Sequence, residues 1–143
     1  MTFQSNGDTA AGFAKTDRGS GSLKDYRYDL IPRSGKTVIQ LAGSDPFQDE
    51  IRRILEEGGD LETAGGHRTA EEERTDAPME VRLFTGRRVS GVVGTVPHGL
   101  EPAIEEALTR LERANKLPRI PAAIVKTRRG LRIELLMGQT KSP

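Results

Sequence analysis

The sequence contains no cysteine among its 143 residues, which excludes disulfides, cysteine-ligated metals and cysteine nucleophiles. It has no tryptophan, only a few Phe and Tyr residues, and an apolar fraction of 34%, which is low for an ordered chain of this length. We therefore expect one small core with solvated tails. No apolar run reaches the roughly 20 residues that span a bilayer, and the N-terminal residues lack the basic-then-apolar order of a secretion signal. These absences favour a cytoplasmic protein without membrane contact.

The net charge is only +1, but the charges are unevenly distributed along the chain. Residues 60–80 hold seven acids and two bases, whereas residues 116–143 hold seven bases and one acid. This asymmetry permits a basic face that meets a polyanion. The alternative is an acidic loop and a basic strand face that are merely solvated.

Two kinds of hydrophobic periodicity predict six strands and two helices. Alternation predicts strands at 23–31, 37–43, 79–86, 89–97, 121–127 and 131–138. A stripe at helical spacing predicts helices at about 45–57 and 99–115. Gly91 and Gly94 indicate a bulge or a close approach inside the fourth strand. The predicted fold class is α+β, with a small, curved or barrel-like, mostly antiparallel sheet of about six strands and two flanking helices.

Composition predicts the domain organisation. Residues 1–22 are rich in small and polar residues, which predicts a disordered N-terminal tail. Residues 23–138 form a single predicted domain, and residues 139–143 a C-terminal tail. Inside the domain, residues 58–78 show no periodicity and many acids, which predicts a long, flexible acidic loop.

The stretch QLAGSDPFQDEI, residues 40–51, predicts the start of the first helix. Asp45 is placed to act as the N-cap, and Pro46 fits the first helical position because its missing N–H would be unpaired there. Gln48 is placed to complete a capping box with Asp45, and Phe47 begins the apolar stripe of the helix.

No catalytic set of residues is recognisable in the sequence. His67 falls in the predicted loop, and His98 precedes the second helix, where it could be a cap, a ligand or an exposed side chain. Two isolated histidines without cysteine make a poor metal site. No serine lies in a nucleophile-elbow pattern, and the glycines match no phosphate-binding loop. The sequence therefore predicts a non-enzymatic protein without metal or cofactor.

Binding to nucleic acid has more support than catalysis. The hairpin predicted around Lys126, Arg128, Arg129 and Arg132 places positive charges close together on a rigid element. Phe84 is a candidate for stacking on an unpaired base, because Val81 and Leu83 occupy the inward positions of its strand. The alternative is that aromatic residues belong to the core and the basic residues only keep the domain soluble.

A series of short motifs follows in a characteristic order along the chain. GSDPFQDEI at 43–51 fits a G-E-x-x-[YF]-Q-x-x-[LI] pattern with serine in place of the glutamate, and MEVRL at 79–83 provides a V-x-V-like strand. VGTVPH at 93–98 parallels V-G-[YF]-[LV]-[PS]-R, and AIV at 123–125 with LRIEL at 131–135 form a closing strand pair. In this order the motifs resemble the HIRAN domain family.

The resemblance implies a small β-barrel flanked by helices that binds single-stranded DNA, particularly at a free 3′ end, without catalysis. Within the family's terminal-nucleotide loop only Asp76 matches, while Thr95 replaces an aromatic residue and His98 replaces an arginine. Residues from both arguments make up the predicted nucleic-acid-binding site: Phe84, Arg87, Arg88, His98, Lys126, Arg128, Arg129, Arg132 and Asp76. The alternative is a protein–protein interaction or regulatory domain that uses the fold without nucleic acid, so the expected partner is single-stranded DNA or a protein.

Overall fold

The computed structural model describes residues 13–141, in which six strands form one sheet accompanied by three α-helices. The strands are β1 (Ile39–Gln40), β2 (Leu61–Ala64), β3 (Glu80–Phe84), β4 (Val89–Thr95), β5 (Pro121–Thr127) and β6 (Gly130–Leu135). The helices are α1 (Gln48–Glu57), α2 (Ala70–Arg74) and α3 (Glu101–Arg113). None of these helices is long and apolar enough to cross a membrane.

The strands pair antiparallel throughout, in the spatial order β1–β6–β5–β2–β3–β4. Just beyond β1, Ala42 exchanges two backbone hydrogen bonds of 2.8 Å with Thr95 at the end of β4. The two outer strands therefore touch at one point, and the sheet curls around its core. This architecture confirms the predicted α+β class with a curved, antiparallel, six-stranded sheet, and it adds one short helix.

The core lies inside the curl and receives the apolar stripes of both long helices. From α1, Ile51 and Ile54 are almost fully buried. The buried apolar residues of α3 recur at helical spacing: Ala103, Ile104, Ala107, Leu108 and Leu111. Each large aliphatic side chain that leaves water stabilises the fold by about 1.5–3 kcal/mol.

Gly94 confirms the predicted close approach inside β4. A Cβ atom at this position would stand 2.9 Å from the carbonyl oxygen of Ala42 and 2.9 Å from Ser44 Oγ. The register between β3 and β4 also shifts along their pairing, as expected of a bulged strand. Glycine is therefore required here by the contact between β4 and the segment after β1.

Residues 58–78 are not the predicted unstructured loop. They contain β2, which lies between β3 and β5 in the sheet, and the single-turn helix α2. Helix α2 begins with a capping box, in which Thr69 Oγ1 accepts from the Glu72 N–H at 3.1 Å and Glu72 Oε1 accepts from the Thr69 N–H at 2.8 Å. The prediction failed because β2 is stabilised by strands distant in sequence, which its own four residues do not reveal.

Residues 23–31 do not form the predicted strand. They begin with a 3₁₀ turn at Leu23–Asp25, and Leu30 adopts a left-handed backbone at φ +67°. Tyr26 is 3% exposed and Tyr28 97% exposed, although a strand would place both on the same side. Strand β1 therefore pairs with β6 and not with this segment.

Both predicted tails are shorter than the sequence indicates. Ser20 and Gln40 exchange two backbone hydrogen bonds of 3.0 Å, which adds part of residues 13–22 to the edge of β1. After β6, a 3₁₀ turn at Met137–Thr140 buries its last residue. The other residues of the predicted tails, 1–12 and 142–143, lie outside the described residues.

Asp45 does not cap α1 but begins a 3₁₀ turn, Asp45–Phe47, that leads into the helix, and Asp17 holds the start of that turn. The Asp17 carboxylate accepts hydrogen bonds from the backbone N–H groups of Ser44 at 2.8 Å and Asp45 at 3.0 Å. Arg132 of β6 donates from Nη2 to Asp45 Oδ1 at 2.7 Å, and its Nε lies 3.9 Å from Asp17 Oδ1. We name these three side chains the Asp17–Arg132–Asp45 cluster.

Gln48 connects α1 to β6 and does not complete a capping box. Its Nε2 donates to the carbonyl oxygens of Leu131 at 2.9 Å and Ser44 at 3.0 Å. Its Oε1 accepts from the backbone N–H of Leu131 at 2.8 Å. The side chain thereby pairs with the β6 backbone much as another strand would.

Candidate nucleic-acid interface

The residues predicted to bind nucleic acid separate into three groups. Strands β3 and β5 both run antiparallel to β2, so they run in the same direction and the turns after them lie at the same end of the sheet. That end carries Arg87, Arg88, Lys126, Arg128 and Arg129. Asp76 precedes β3 and His98 follows β4, which places both at the opposite end. Phe84 and Arg132 are engaged in internal contacts.

Most basic residues at the first end are exposed and form no salt bridge within the described residues. We name this surface the cationic end, defined by Arg87, Lys126, Arg128 and Arg129. The β5–β6 turn is held by Thr127, whose Oγ1 donates to the carbonyl oxygen of Gly130 at 2.8 Å and accepts from the Arg129 N–H at 3.1 Å. Arg128 and Arg129 therefore stand on a fixed turn, with Lys126 next to them at the end of β5 and Arg87 on the β3–β4 turn at the same end of the sheet.

A groove beside the cationic end separates α1 from the β5–β6 hairpin. It has a volume of about 520 Å³ and is lined mainly by Gln48, Arg52, Leu55, Lys126, Thr127 and Leu131. A second cavity of about 530 Å³ lies between the end of α1, the start of β2 and β5. Leu55 lines both and is 38% exposed, so the two cavities lie on either side of this side chain.

Arg88 is oriented away from this surface and toward α1. Its guanidinium donates to Glu57 Oε2 at 2.7 Å and to Glu50 Oε2 at 3.1 Å. Burial of Glu50 raises its pKa, but the hydrogen bonds from the Gly91 N–H and from Arg88 outweigh that effect, so the pKa is lowered overall. Arg88 thus anchors α1 to the β3–β4 turn, and we remove it from the candidate interface.

Arg132 is 1% exposed because the Asp17–Arg132–Asp45 cluster encloses its guanidinium. Alternation in β6 predicts that this arginine faces solvent, but the segment around Asp17 covers it. A buried, paired guanidinium cannot contact a phosphate without unfolding its surroundings. Arg132 is therefore a structural residue.

Phe84 lies on the outward side of β3, as predicted, but one face of its ring is occupied. The guanidinium carbon of Arg119 stands 4.3 Å from the ring centroid, a cation–π contact. Arg119 Nη1 in turn lies 3.7 Å from Glu62 on β2. Neither neighbour could be inferred from periodicity, because both come from distant parts of the chain.

At the opposite end, the structure brings Asp76 and His98 together with Glu101, a residue expected on the wet face of α3. His98 Nε2 lies 3.6 Å from Asp76 Oδ2, and His98 Nδ1 lies 3.7 Å from Glu101 Oε2. Glu101 is 5% exposed, and its Oε1 accepts from the Gly99 N–H at 2.7 Å. In the sequence, an acidic residue directly before Pro102 indicates a position at the start of the helix, and this is the feature that could have identified Glu101.

The other histidine, His67, fastens the α2 segment to α3. Its Nδ1 is hydrogen-bonded to Glu105, and its Nε2 lies 3.1 Å from Glu112 Oε1. The Glu105 contact is the main reason that the pKa of His67 is raised above its usual value, with Glu112 adding to the effect. Arg68 extends the attachment, since its N–H donates to Glu105 Oε2 at 3.2 Å.

Within residues 13–141, strand β5 has an edge without a pairing strand beside the cavity next to β2. It pairs with β2 only through Pro121 and Ala122, whereas it pairs with β6 as far as Thr127. Backbone groups alternate in direction along a strand, so those of Ile124 and Lys126 point the same way as those of Ala122, toward the missing partner. The edge is therefore able to receive another extended chain.

Comparisons with models of protein families, with curated proteins and with solved structures found no match. The HIRAN resemblance accordingly stays a prediction. The candidate interface depends on the geometry described above.

Proposed function

We propose that this chain is a non-catalytic cytoplasmic module that binds single-stranded nucleic acid at its cationic end. The supporting observation is that Lys126, Arg128 and Arg129 stand exposed on one hairpin without acidic partners within the described residues. Phosphates bind such clusters because each contact releases a condensed counterion. The HIRAN resemblance and the curled six-stranded sheet support the same function.

The groove next to this turn gives the strand a path. The phosphate backbone follows Lys126, Arg128 and Arg129, and the bases turn toward the apolar surface at Leu55 and Leu131 that lines the groove. Among the described residues no aromatic side chain lines this groove, so base stacking contributes little and binding is weak and insensitive to sequence. Electrostatic attraction then supplies most of the affinity.

The test is fluorescence anisotropy of a short labelled oligothymidine strand, titrated at several salt concentrations. The variant replaces Lys126, Arg128 and Arg129 with alanine. A matched control replaces three exposed lysines elsewhere, Lys24, Lys36 and Lys116, and so removes the same charge. For single strands the logarithm of affinity falls with the logarithm of salt by about 0.7 per phosphate contact.

We expect the first variant to reduce that salt slope by about 2 and the control to leave it almost unchanged. Equal losses in both variants would mean that net charge alone attracts the strand and that the cationic end is not the site. Absence of binding by the unmodified protein at low salt would refute the proposal outright.

A protein partner is the second candidate, and the open edge of β5 favours it. An extended peptide could pair with the backbone of Ile124 and Lys126 and place alternate side chains in the cavity next to Leu55. Strand β5 runs toward the cationic turn, so a peptide pairing antiparallel would have its N-terminal half beside Arg128 and Arg129. Charge complementarity therefore selects a peptide whose acidic residues lie in that half.

Hydrogen exchange distinguishes the two candidates. A bound β-strand would protect the amide protons of Ile124 and Lys126, because it would accept their hydrogen bonds. A probe peptide with N-terminal acids followed by alternating valines should slow both exchange rates, whereas a scrambled peptide should not. Unchanged exchange at saturating peptide would exclude strand addition at this edge.

A further inference from the structure

We propose that Asp76, His98 and Glu101 form a binding site for one divalent transition-metal ion, with Zn²⁺ as the best fit. One ligand atom from each of these residues lies within 4.8 Å of the others. Donor atoms that share an ion at about 2.1 Å stand about 3–3.5 Å apart, so only a small inward movement of exposed side chains is needed. This site is independent of the cationic end, which lies across the sheet.

The geometry at Glu101 points independently to a cation. The Glu101 side chain is only 6% exposed, and while Oε1 is hydrogen-bonded to Gly99, Oε2 has no hydrogen-bond donor within the described residues. Its nearest charged neighbour is His98 at 3.7 Å, beyond hydrogen-bonding distance. Oε2 is therefore the carboxylate oxygen left open to a cation, and a cation there would offset the cost of keeping this carboxylate charged in a largely buried position.

The other two proposed ligands, Asp76 and His98, lie on different segments of the chain. Asp76 adopts a left-handed backbone at φ +54° after α2, and its Oδ1 lies 3.7 Å from Arg68 Nη1. Its other oxygen, Oδ2, is the one that faces His98. His98 is held between β4 and α3, and both Asp76 and His98 are exposed, so an ion can enter and keep water in its remaining positions.

The second histidine shows why the site is at His98. His67 also lies between two carboxylates, but its ring nitrogens are in direct hydrogen-bonding contact with Glu105 and Glu112, on opposite sides of the ring. No space for an ion remains there. At His98 the two ring nitrogens also face different carboxylates, but both distances, 3.6 and 3.7 Å, exceed hydrogen-bonding length, so the imidazole is not held and can turn to give one nitrogen to an ion shared with Asp76 and Glu101.

The ligand types select the class of ion. One imidazole nitrogen with two carboxylates suits Zn²⁺, Co²⁺ or Mn²⁺, whereas Mg²⁺ and Ca²⁺ prefer oxygen ligands alone. Three protein ligands leave at least one position for water. Asp76 follows α2, whereas His98 and Glu101 lie at the start of α3. A bound ion would therefore link the end of α2 to the start of α3.

The full chain, treated with a chelator and dialysed, is titrated with Zn²⁺ by calorimetry and with Co²⁺ by visible absorption. We expect one equivalent of either ion to bind, and we expect the Co²⁺ complex to show d–d absorption bands typical of nitrogen and oxygen ligands. His98→Ala and Asp76→Asn should each weaken binding by at least about tenfold. The matched control is His67→Gln, which removes the imidazole but keeps a side chain able to hydrogen-bond to α3, and which should leave metal affinity unchanged.

Both tested ligands are exposed, so circular dichroism should show that the variants fold. Failure of the unmodified chain to bind Zn²⁺ or Co²⁺ would overturn the proposal. So would equal weakening by His67→Gln and His98→Ala, which would indicate adventitious binding to histidine. The alanine variant of Lys126, Arg128 and Arg129 should keep full metal affinity, which separates this proposal from nucleic-acid binding.

Discussion

Replacing Asp17 with alanine should destabilise the protein far more than is expected of a residue in the disordered tail that the sequence predicts. The Asp17 carboxylate is 4% exposed and faces Arg132, whose side chain is 2% exposed. Removing one partner of a buried ion pair costs about 3–5 kcal/mol, because the other charge is left buried. Asp45 is 49% exposed and remains bound to Arg132, so we expect the lower end of that range, about 3 kcal/mol.

Part of this loss comes from the helix start and not from the ion pair. The N–H groups of Ser44 and Asp45 lose their acceptor when Asp17 is truncated. Asp17→Asn keeps one acceptor oxygen and should therefore cost less than alanine. If uncompensated charge on Arg132 dominates, adding Arg132→Met to Asp17→Ala should recover part of the lost stability.

Urea unfolding followed by circular dichroism measures these differences, since the chain has no tryptophan. The control is Asp49→Ala, which removes an exposed i,i+3 pair with Arg52 and should change stability by less than about 0.5 kcal/mol. A loss below about 1 kcal/mol for Asp17→Ala would refute the argument. It would mean that the segment around Asp17 contributes little to the fold.

Two further predictions concern a glycine and a histidine. Gly43 and Gly58 share φ near +70°, but only at Gly43 would a Cβ meet another group, the Phe13 ring at 2.7 Å. Gly43→Ala should therefore destabilise more than Gly58→Ala, by about 1 kcal/mol or more in urea unfolding. Glu105 raises the pKa of His67, so the protonated His67 side chain stabilises the folded state. This contribution to the free energy of unfolding is complete below about pH 6.5 and is lost as the pH rises through the raised pKa of His67. His67→Gln should remove this decline of stability with pH in urea unfolding. A variant whose stability depends on pH in the same way as that of the unmodified protein would contradict the prediction.

Local patterns account for the elements that were predicted correctly. In β5 and β6 the alternating residues and the two-residue turn lie within about fifteen positions, and the observed hairpin matches the prediction. The stripe of α3 is likewise contained in its own thirteen residues. Such elements can be predicted from their own residues, because their hydrophobic pattern does not depend on distant parts of the chain.

Elements that depend on distant partners were missed. Strand β2 has four residues and no clear alternation, and it is a strand because β3 and β5 pair with it on both sides. The same limit affects the candidate site. Arg88 and Arg132 look like free surface cations in sequence, but their acidic partners lie more than thirty residues away.

The segment Gly43–Gln48, which carries one of the motifs behind the resemblance, has a structural role in this protein. Gly43 accommodates the Phe13 ring, Ser44 Oγ donates to the carbonyl oxygen of Val93 at 2.8 Å, and Gln48 pairs with the backbone of β6. Each of these groups is used inside the protein, so none is left to recognise a partner. A sequence that keeps this segment keeps the connection between α1, β4 and β6, while the exposed turn at Arg128 and Arg129 can vary without affecting it. Function must therefore be tested at the turns and at the His98 cluster, because Gly43, Ser44 and Gln48 are engaged in contacts inside the protein.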